Sequence, residues 1–197
     1  MAPTPPQSNK TGFFSLPAEL RNCIYLDIAG TELQCGSGVV NSSASQRILG
    51  IRLRSVSRQI RAGITPIWLA QAVVWLDFDT LHTEPHIGFA RGTKQMLHAL
   101  DEVSIRWIKT YVVFGPRVSF EIRLGVDADR QHGYSVECDG FSVATGYGVC
   151  EESVSQQTRH RCEALAELVG KAVKGKQTMY LTMDDICGLE VFGSCFA

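Results

Sequence analysis

The feature that most constrains this chain is a change, made twice, in the spacing of its apolar residues. Leu20, Cys23, Ile24 and Ile28 recur at three- and four-residue steps, and so do Leu53, Val56, Ile60, Ile64 and Trp68, which places each set along one side of a helix. Past residue 71 that period is lost. The run Ala72-Val73-Val74-Trp75-Leu76-Asp77-Phe78 reads as a strand, a helix is predicted over 89–100 with Phe89, Met96, Leu97 and Leu100 inward, and strands are predicted over 105–114 and 118–124. Gly115-Pro116 separates the last two, and the second alternates apolar with polar residues, so they are expected to form an antiparallel hairpin. Further strands are expected over 134–138 and 141–143, bounded by the polar turn 127–133 and by Asp139-Gly140. Over 155–173 the helical period returns through Cys162, Leu165, Leu168, Val169 and Val173, and Thr182 with Asp185 resembles a capping box opening a short last helix through Leu189. Helices, then strands, then helices predict an α+β fold rather than alternating βαβ units: amino-terminal helices followed by a mainly antiparallel sheet with packing helices.

Local signals bound the first helices. Ser15 can accept from the free amides of a starting helix, Pro17 suits its first turn, Glu19 suits its positive end and Gly30 is a plausible stop. Pro66 is expected to kink or end the second helix near Ile64.

Composition then narrows the function. A chain of 197 residues, 45% hydrophobic and 20% charged, is ordinary globular composition, long enough for a sizeable core. The reading divides it into a disordered polar tail (1–11), a helical region (12–70) and an α+β domain (71–197) packed with the helices as one unit. Lys and Arg number 19 against 20 acidic residues, so no electrostatic field favours nucleic acid or an anionic membrane as partner. No apolar run approaches the roughly 20 residues of a membrane span, and no export signal precedes the helices. Seven cysteines at irregular positions (23, 35, 138, 150, 162, 187 and 195) read as reduced thiols of a cytoplasmic or nuclear protein, with Cys23 and Cys162 shielded by packing.

Two segments carry a resemblance. Leu16-Pro17-Ala18-Glu19-Leu20-Arg21-Asn22-Cys23-Ile24-Tyr25, read with Leu53-Arg54-Ser55-Val56-Ser57-Arg58-Gln59-Ile60-Arg61 and Ile64-Thr65-Pro66-Ile67-Trp68-Leu69, resembles the two ends of an F-box, in the diverged form of fungal F-box-like proteins. The resemblance covers about the first third of the chain; between the segments, residues 31–46 are rich in Gly and Ser where the family has a further helix. It implies a non-catalytic adaptor in which Leu16, Pro17, Leu20, Ile24 and Tyr25 contact the Skp-type adaptor protein of a modular ubiquitin ligase, while the α+β remainder holds a substrate protein. From the residues alone, the stripe could equally pack on the chain's own core.

Catalytic and metal-binding patterns are thin, and no cofactor is expected. His82-Thr83-Glu84 starts like a zinc deaminase motif but no Pro-Cys-x-x-Cys follows, and Pro85 forbids the helix that would aim His82 and His86 at one ion. His160 and Cys162 point to different faces of a helix. Asp127 and Asp129 start like a calcium loop, but His132 and Cys138 stand where glycine and glutamate are needed. Cys138 or Cys150 with a distant His is the remaining nucleophile pairing. Arg54, Arg58 and Arg61 share a helix face that, with Arg52, could grip phosphates or an acidic partner, a solvated face being the default. Three readings follow: the F-box-like adaptor, a stand-alone scaffold whose F-box-like helices belong to its own core, and a small cysteine- or carboxylate-dependent enzyme.

Overall fold

Among the described residues, seven strands form one sheet and lie side by side in their order along the chain. The computed structural model describes residues 12–32, 39–40, 57–78, 88–114, 119–127, 130–138, 141–144, 147–149, 155–176 and 178–193. Strands β1 (Val39–Val40), β2 (Val73–Asp77) and β3 (Thr110–Phe114) run parallel. From β3 the sheet continues antiparallel through β4 (Ser119–Asp127), β5 (Arg130–Cys138), β6 (Phe141–Ala144) and β7 (Tyr147–Val149). The fold is thus α+β with a mainly antiparallel sheet.

Parallel neighbours need a crossover, which α2 (Arg58–Gln71) supplies between β1 and β2, and α3 (Arg91–Ala99) with α4 (Glu102–Ile105) between β2 and β3. Two βαβ connections therefore precede the antiparallel strands, where the sequence reading expected none. The cause lies partly at Asp101, whose Oδ1 accepts the Ser104 amide at 2.6 Å. This cap folds residues 102–105 into a helical turn, so the strand expected from residue 105 begins only at Thr110. The polar turn expected over 127–133 is also shorter, because β4 and β5 pair as far as Asp127 with Arg130.

Alternation along the strands decides which face of the sheet is covered. Val74 pairs beside Tyr111, Tyr111 beside Ile122 and Ile122 beside Val136, and all four are buried. Helix α5 (Gln156–Val173), capped by Ser155, covers this face through Cys162, Leu165, Ala166, Val169 and Val173. Its Cys162 Sγ donates to the Val136 carbonyl at 3.4 Å. Leu168, expected inward, is exposed instead, because Leu165, Val169 and Val173 take the inward positions at four-residue steps. Phe192 of α7 (Glu190–Gly193) meets Phe120 edge-on at 5.7 Å between ring centroids.

Helix α2 starts at Ser57, whose Oγ accepts the Ile60 amide at 3.1 Å. Pro66 does not end it. The helix continues to Gln71 and stops where Ala72 turns extended and donates to the Trp68 carbonyl at 2.9 Å. An interior proline costs about 3 kcal/mol, while burying Trp68 and Leu69 beyond it stabilises by about 1.5–3 kcal/mol each, so continuation wins. Leu53 and Val56 lie outside the described residues.

The start of α1 (Ala18–Glu32) also differs from expectation. Ser15 closes a single 3₁₀ turn over Phe13–Ser15, its Oγ donating to the Gly12 carbonyl at 2.6 Å, and so is not a cap for α1. Leu16 is extended, as a residue before proline prefers, and α1 begins after Pro17, whose carbonyl accepts from Arg21 at 3.1 Å. Gly30 sits inside the helix; an interior glycine costs only about 1 kcal/mol, which does not stop it. Helix α1 docks on α2 where Gly63 receives the Tyr25 ring, and Tyr25, Ala29, Ile64, Trp68 and Leu69 belong to the same buried cluster as the sheet and α5 residues.

The capping box opens α6 (Met183–Gly188) as expected: Asp185 accepts from the Thr182 amide and hydroxyl at 2.7 Å each, and Thr182 Oγ1 accepts the Asp185 amide at 3.1 Å. Lys176 Nζ adds an ion pair to Asp185 at 2.7 Å. Partial burial pushes the Asp185 carboxyl up, but the hydrogen bonds from Lys176 and Thr182 outweigh it and hold the group below the usual carboxylate range. A depressed carboxylate contributes stability above its unfolded pKa, about 3.9, and loses it as pH falls through the lower folded value. In urea melts across the acid range, Asp185→Asn should therefore show a shallower loss of stability below about pH 4 than the parent chain. At neutral pH it should be less stable by about 0.5–1.5 kcal/mol, because the amide keeps an acceptor oxygen but loses the charge that strengthens the bonds from Lys176 and Thr182. Parallel acid profiles for the two proteins would contradict this role.

Candidate interaction surface

Helix α1 separates the expected contact residues. Leu20 is 52% exposed and Ile24 is 38% exposed, one turn apart on the outer side of the helix, with Pro17 exposed and Leu16 half-buried at its start. Cys23 is exposed beside them, which corrects the expectation that packing shields it. Tyr25 is the exception among the expected contact residues, being only 5% exposed. A Cβ on Gly63 would stand 2.7 Å from Tyr25 Cε2, so the two helices meet at this ring and it faces α2 rather than a partner. Phe13 packs on the same ring with centroids 5.4 Å apart, fastening the turn before α1 to its inner side.

A second surface lies along α2. Arg58, Arg61, Ala62, Thr65 and Pro66 form one wall of an open cleft of about 390 Å³, and Asp101, Val103, Ser104 and Trp107 form the other. Arg58 and Arg61 share one helix face, as their spacing predicts; Arg52 and Arg54 lie outside the described residues. Val103 is 65% exposed and Trp107 is 44% exposed, so a large part of the far wall is apolar and open to solvent. The sequence reading placed both residues in or beside a strand and missed this wall; Asp101 as a helix cap was the signal that could have found it.

The cysteines divide by environment. Cys138 and Cys162 are buried, Cys23 and Cys187 exposed, and none of the four is in a disulfide. Burial, reinforced by Glu163 and Glu137, pushes the Cys162 thiol up to about 12. Burial and the nearby Glu190 and Asp184 also raise Cys187, against a smaller opposite effect of Lys94. Neither is an activated nucleophile, which requires a depressed pKa. His160 is exposed on α5 while Cys162 faces inward, so those two do not meet. His82, Glu84, His86, Asp129 and Cys150 lie outside the described residues, and among the described ones no group of three or more His, Cys, Asp or Glu side chains is placed to hold a metal ion. With a maleimide added to native protein, Cys23 and Cys187 should react and Cys138 and Cys162 should not; denaturant without reductant should release seven thiols. Rapid native labelling of Cys162, or five thiols or fewer in denaturant, would contradict the reduced, packed state.

Comparison with protein-family models, with curated proteins and with solved structures found no match to this chain. Among the described residues no helix is long and apolar enough to cross a membrane.

Proposed function

We propose that this chain is a non-catalytic interaction adaptor, working like an F-box substrate receptor, that binds a Skp-type adaptor protein of a ubiquitin ligase in the cytoplasm or nucleus. The observation that supports it is the outer side of α1, where Leu20 and Ile24 stand exposed next to Pro17 while Tyr25 and Ala29 anchor the opposite side in the core. Leu20 and Ile24, one turn apart beside Pro17, give that side an apolar edge of the kind a partner buries. Leu16, Pro17, Leu20 and Ile24 form the contact, and Tyr25 holds the helix in place from behind.

The burial of Tyr25 favours a second reading, a stand-alone scaffold whose first helix has been drawn into its own core. A pull-down from a eukaryotic extract separates the two: recovery of a Skp-type protein with the parent chain supports the adaptor, and recovery of other proteins without it supports the scaffold.

A further inference from the structure

The cleft between α2 and the α4 turn holds no residue of α1, so what it binds is independent of the adaptor contact. Its walls differ in character. Arg58 and Arg61 stand with Ala62 and Pro66 on the α2 side, and the exposed Val103 and Trp107 form the other side. Both guanidiniums are always charged, and each carries five donors, so Arg61 can serve an incoming carboxylate as well as a neighbour within the chain. The opposing acid, Asp101, is engaged at the start of α4, its Oδ1 taking the Ser104 amide at 2.6 Å.

We propose that this cleft binds a short acidic peptide segment of a partner protein, with an aliphatic or aromatic side chain between Pro66 and Trp107 and a neighbouring carboxylate on Arg58 and Arg61. Charge complementarity selects this occupant. Cations outnumber acids on the walls, so an apolar side chain flanked by carboxylates fits better than one flanked by amides or ammonium groups. A nucleic-acid strand fits poorly, because a phosphate backbone needs a continuous positive track, whereas the cleft offers two arginines and the chain's formal charge is −1. The space is also small, near the lower end of ligand pockets, which suits two or three side chains rather than a folded surface.

The test uses the full chain and a fluorescein-labelled peptide, Glu-Leu-Phe-Asp-Glu, followed by anisotropy at low salt. Two control peptides are Gln-Leu-Phe-Asn-Gln, which removes the charge, and Glu-Ala-Ala-Asp-Glu, which removes the apolar side chains; a single-stranded oligonucleotide is the polyanion control. The acidic apolar peptide should bind about tenfold or more tightly than either control peptide, as charge-assisted contacts predict. Arg58→Glu and Val103→Glu should each weaken it by a similar factor while leaving the thermal melt in place, since both side chains are exposed. Leu20→Asp/Ile24→Asp, which removes the α1 contact, should bind the peptide as the parent does, so failure of the adaptor reading and failure of this one are distinguishable. Equal binding of the charged and amide peptides, binding indifferent to Arg58→Glu and Val103→Glu, tighter binding of the oligonucleotide, or no binding of the acidic peptide at millimolar concentration would each overturn the proposal.

Discussion

Trp68→Ala should cost this protein about 3–5 kcal/mol, the usual loss for deleting a buried aromatic side chain. Trp68 is among the largest fully buried residues and stands about three turns after Ser57's capped end, beyond Pro66, on the stretch of α2 that leads directly into β2. Its loss opens a cavity where α2 joins the core. The indole Nε1 has no hydrogen-bond partner among the described residues, so removing it relieves some desolvation and sets the expected value towards the lower part of the range. For a chain of this length a loss of 3–5 kcal/mol lowers the melting temperature by about 6–20 °C. A calorimetric shift of only a degree or two would mean that Trp68 is not packed as described.

Gly63→Val should be nearly as damaging, for the opposite reason. A Cβ there would lie 2.7 Å from Tyr25 Cε2, 3.0 Å from its hydroxyl and 3.1 Å from Cζ. Tyr25 is buried and held by Phe13, so the ring cannot swing aside and the helices must part. Overpacking of this kind costs about 1–3 kcal/mol, and valine, unlike alanine, offsets little of it by better helix propensity than glycine. Gly63→Ala should fall between, since the smaller clash is opposed by a propensity gain of about 1 kcal/mol. Tyr25→Ala in the Gly63→Val background should recover part of the loss in a double-mutant cycle, because the clash partner is gone. Strict additivity of the two changes would contradict the close contact.

How far a feature shows in the sequence depends on the distance along the chain between the residues that set it. Features set by residues two to four apart were legible: the Thr182–Asp185 box, the alternation that buries Phe120, Ile122 and Leu124, and the inward stripe of α5 at Cys162, Leu165 and Val169. Features set by distant pairing were not. Nothing within the run 72–78 distinguishes a strand with parallel neighbours on both sides from an antiparallel one, so the crossovers through α2 and α3 were missed. Pro66 misled because the local cost of a proline was weighed without the tertiary burial of Trp68 beyond it.

The contact surface was legible in part for a similar reason. Leu20, Cys23, Ile24, Tyr25, Leu26 and Ile28 place apolar groups on every side of α1, so spacing alone cannot choose which side turns inward. Gly63 decides it by leaving room on α2 for the tyrosine ring, and the choice of Tyr25 for the core leaves Leu20 and Ile24 outside. The cleft beside α4 was hidden because Val103 precedes, and Trp107 lies within, a run that also satisfies a strand pattern.

The adaptor reading rests on α1, and titration calorimetry with a purified Skp-type adaptor protein tests it most directly. The parent chain should bind with one-to-one stoichiometry, and Leu20→Asp/Ile24→Asp should abolish binding with its melting temperature and circular dichroism unchanged, because both side chains already face solvent. No heat of binding with the parent chain, or undiminished binding by the double variant, would contradict the account.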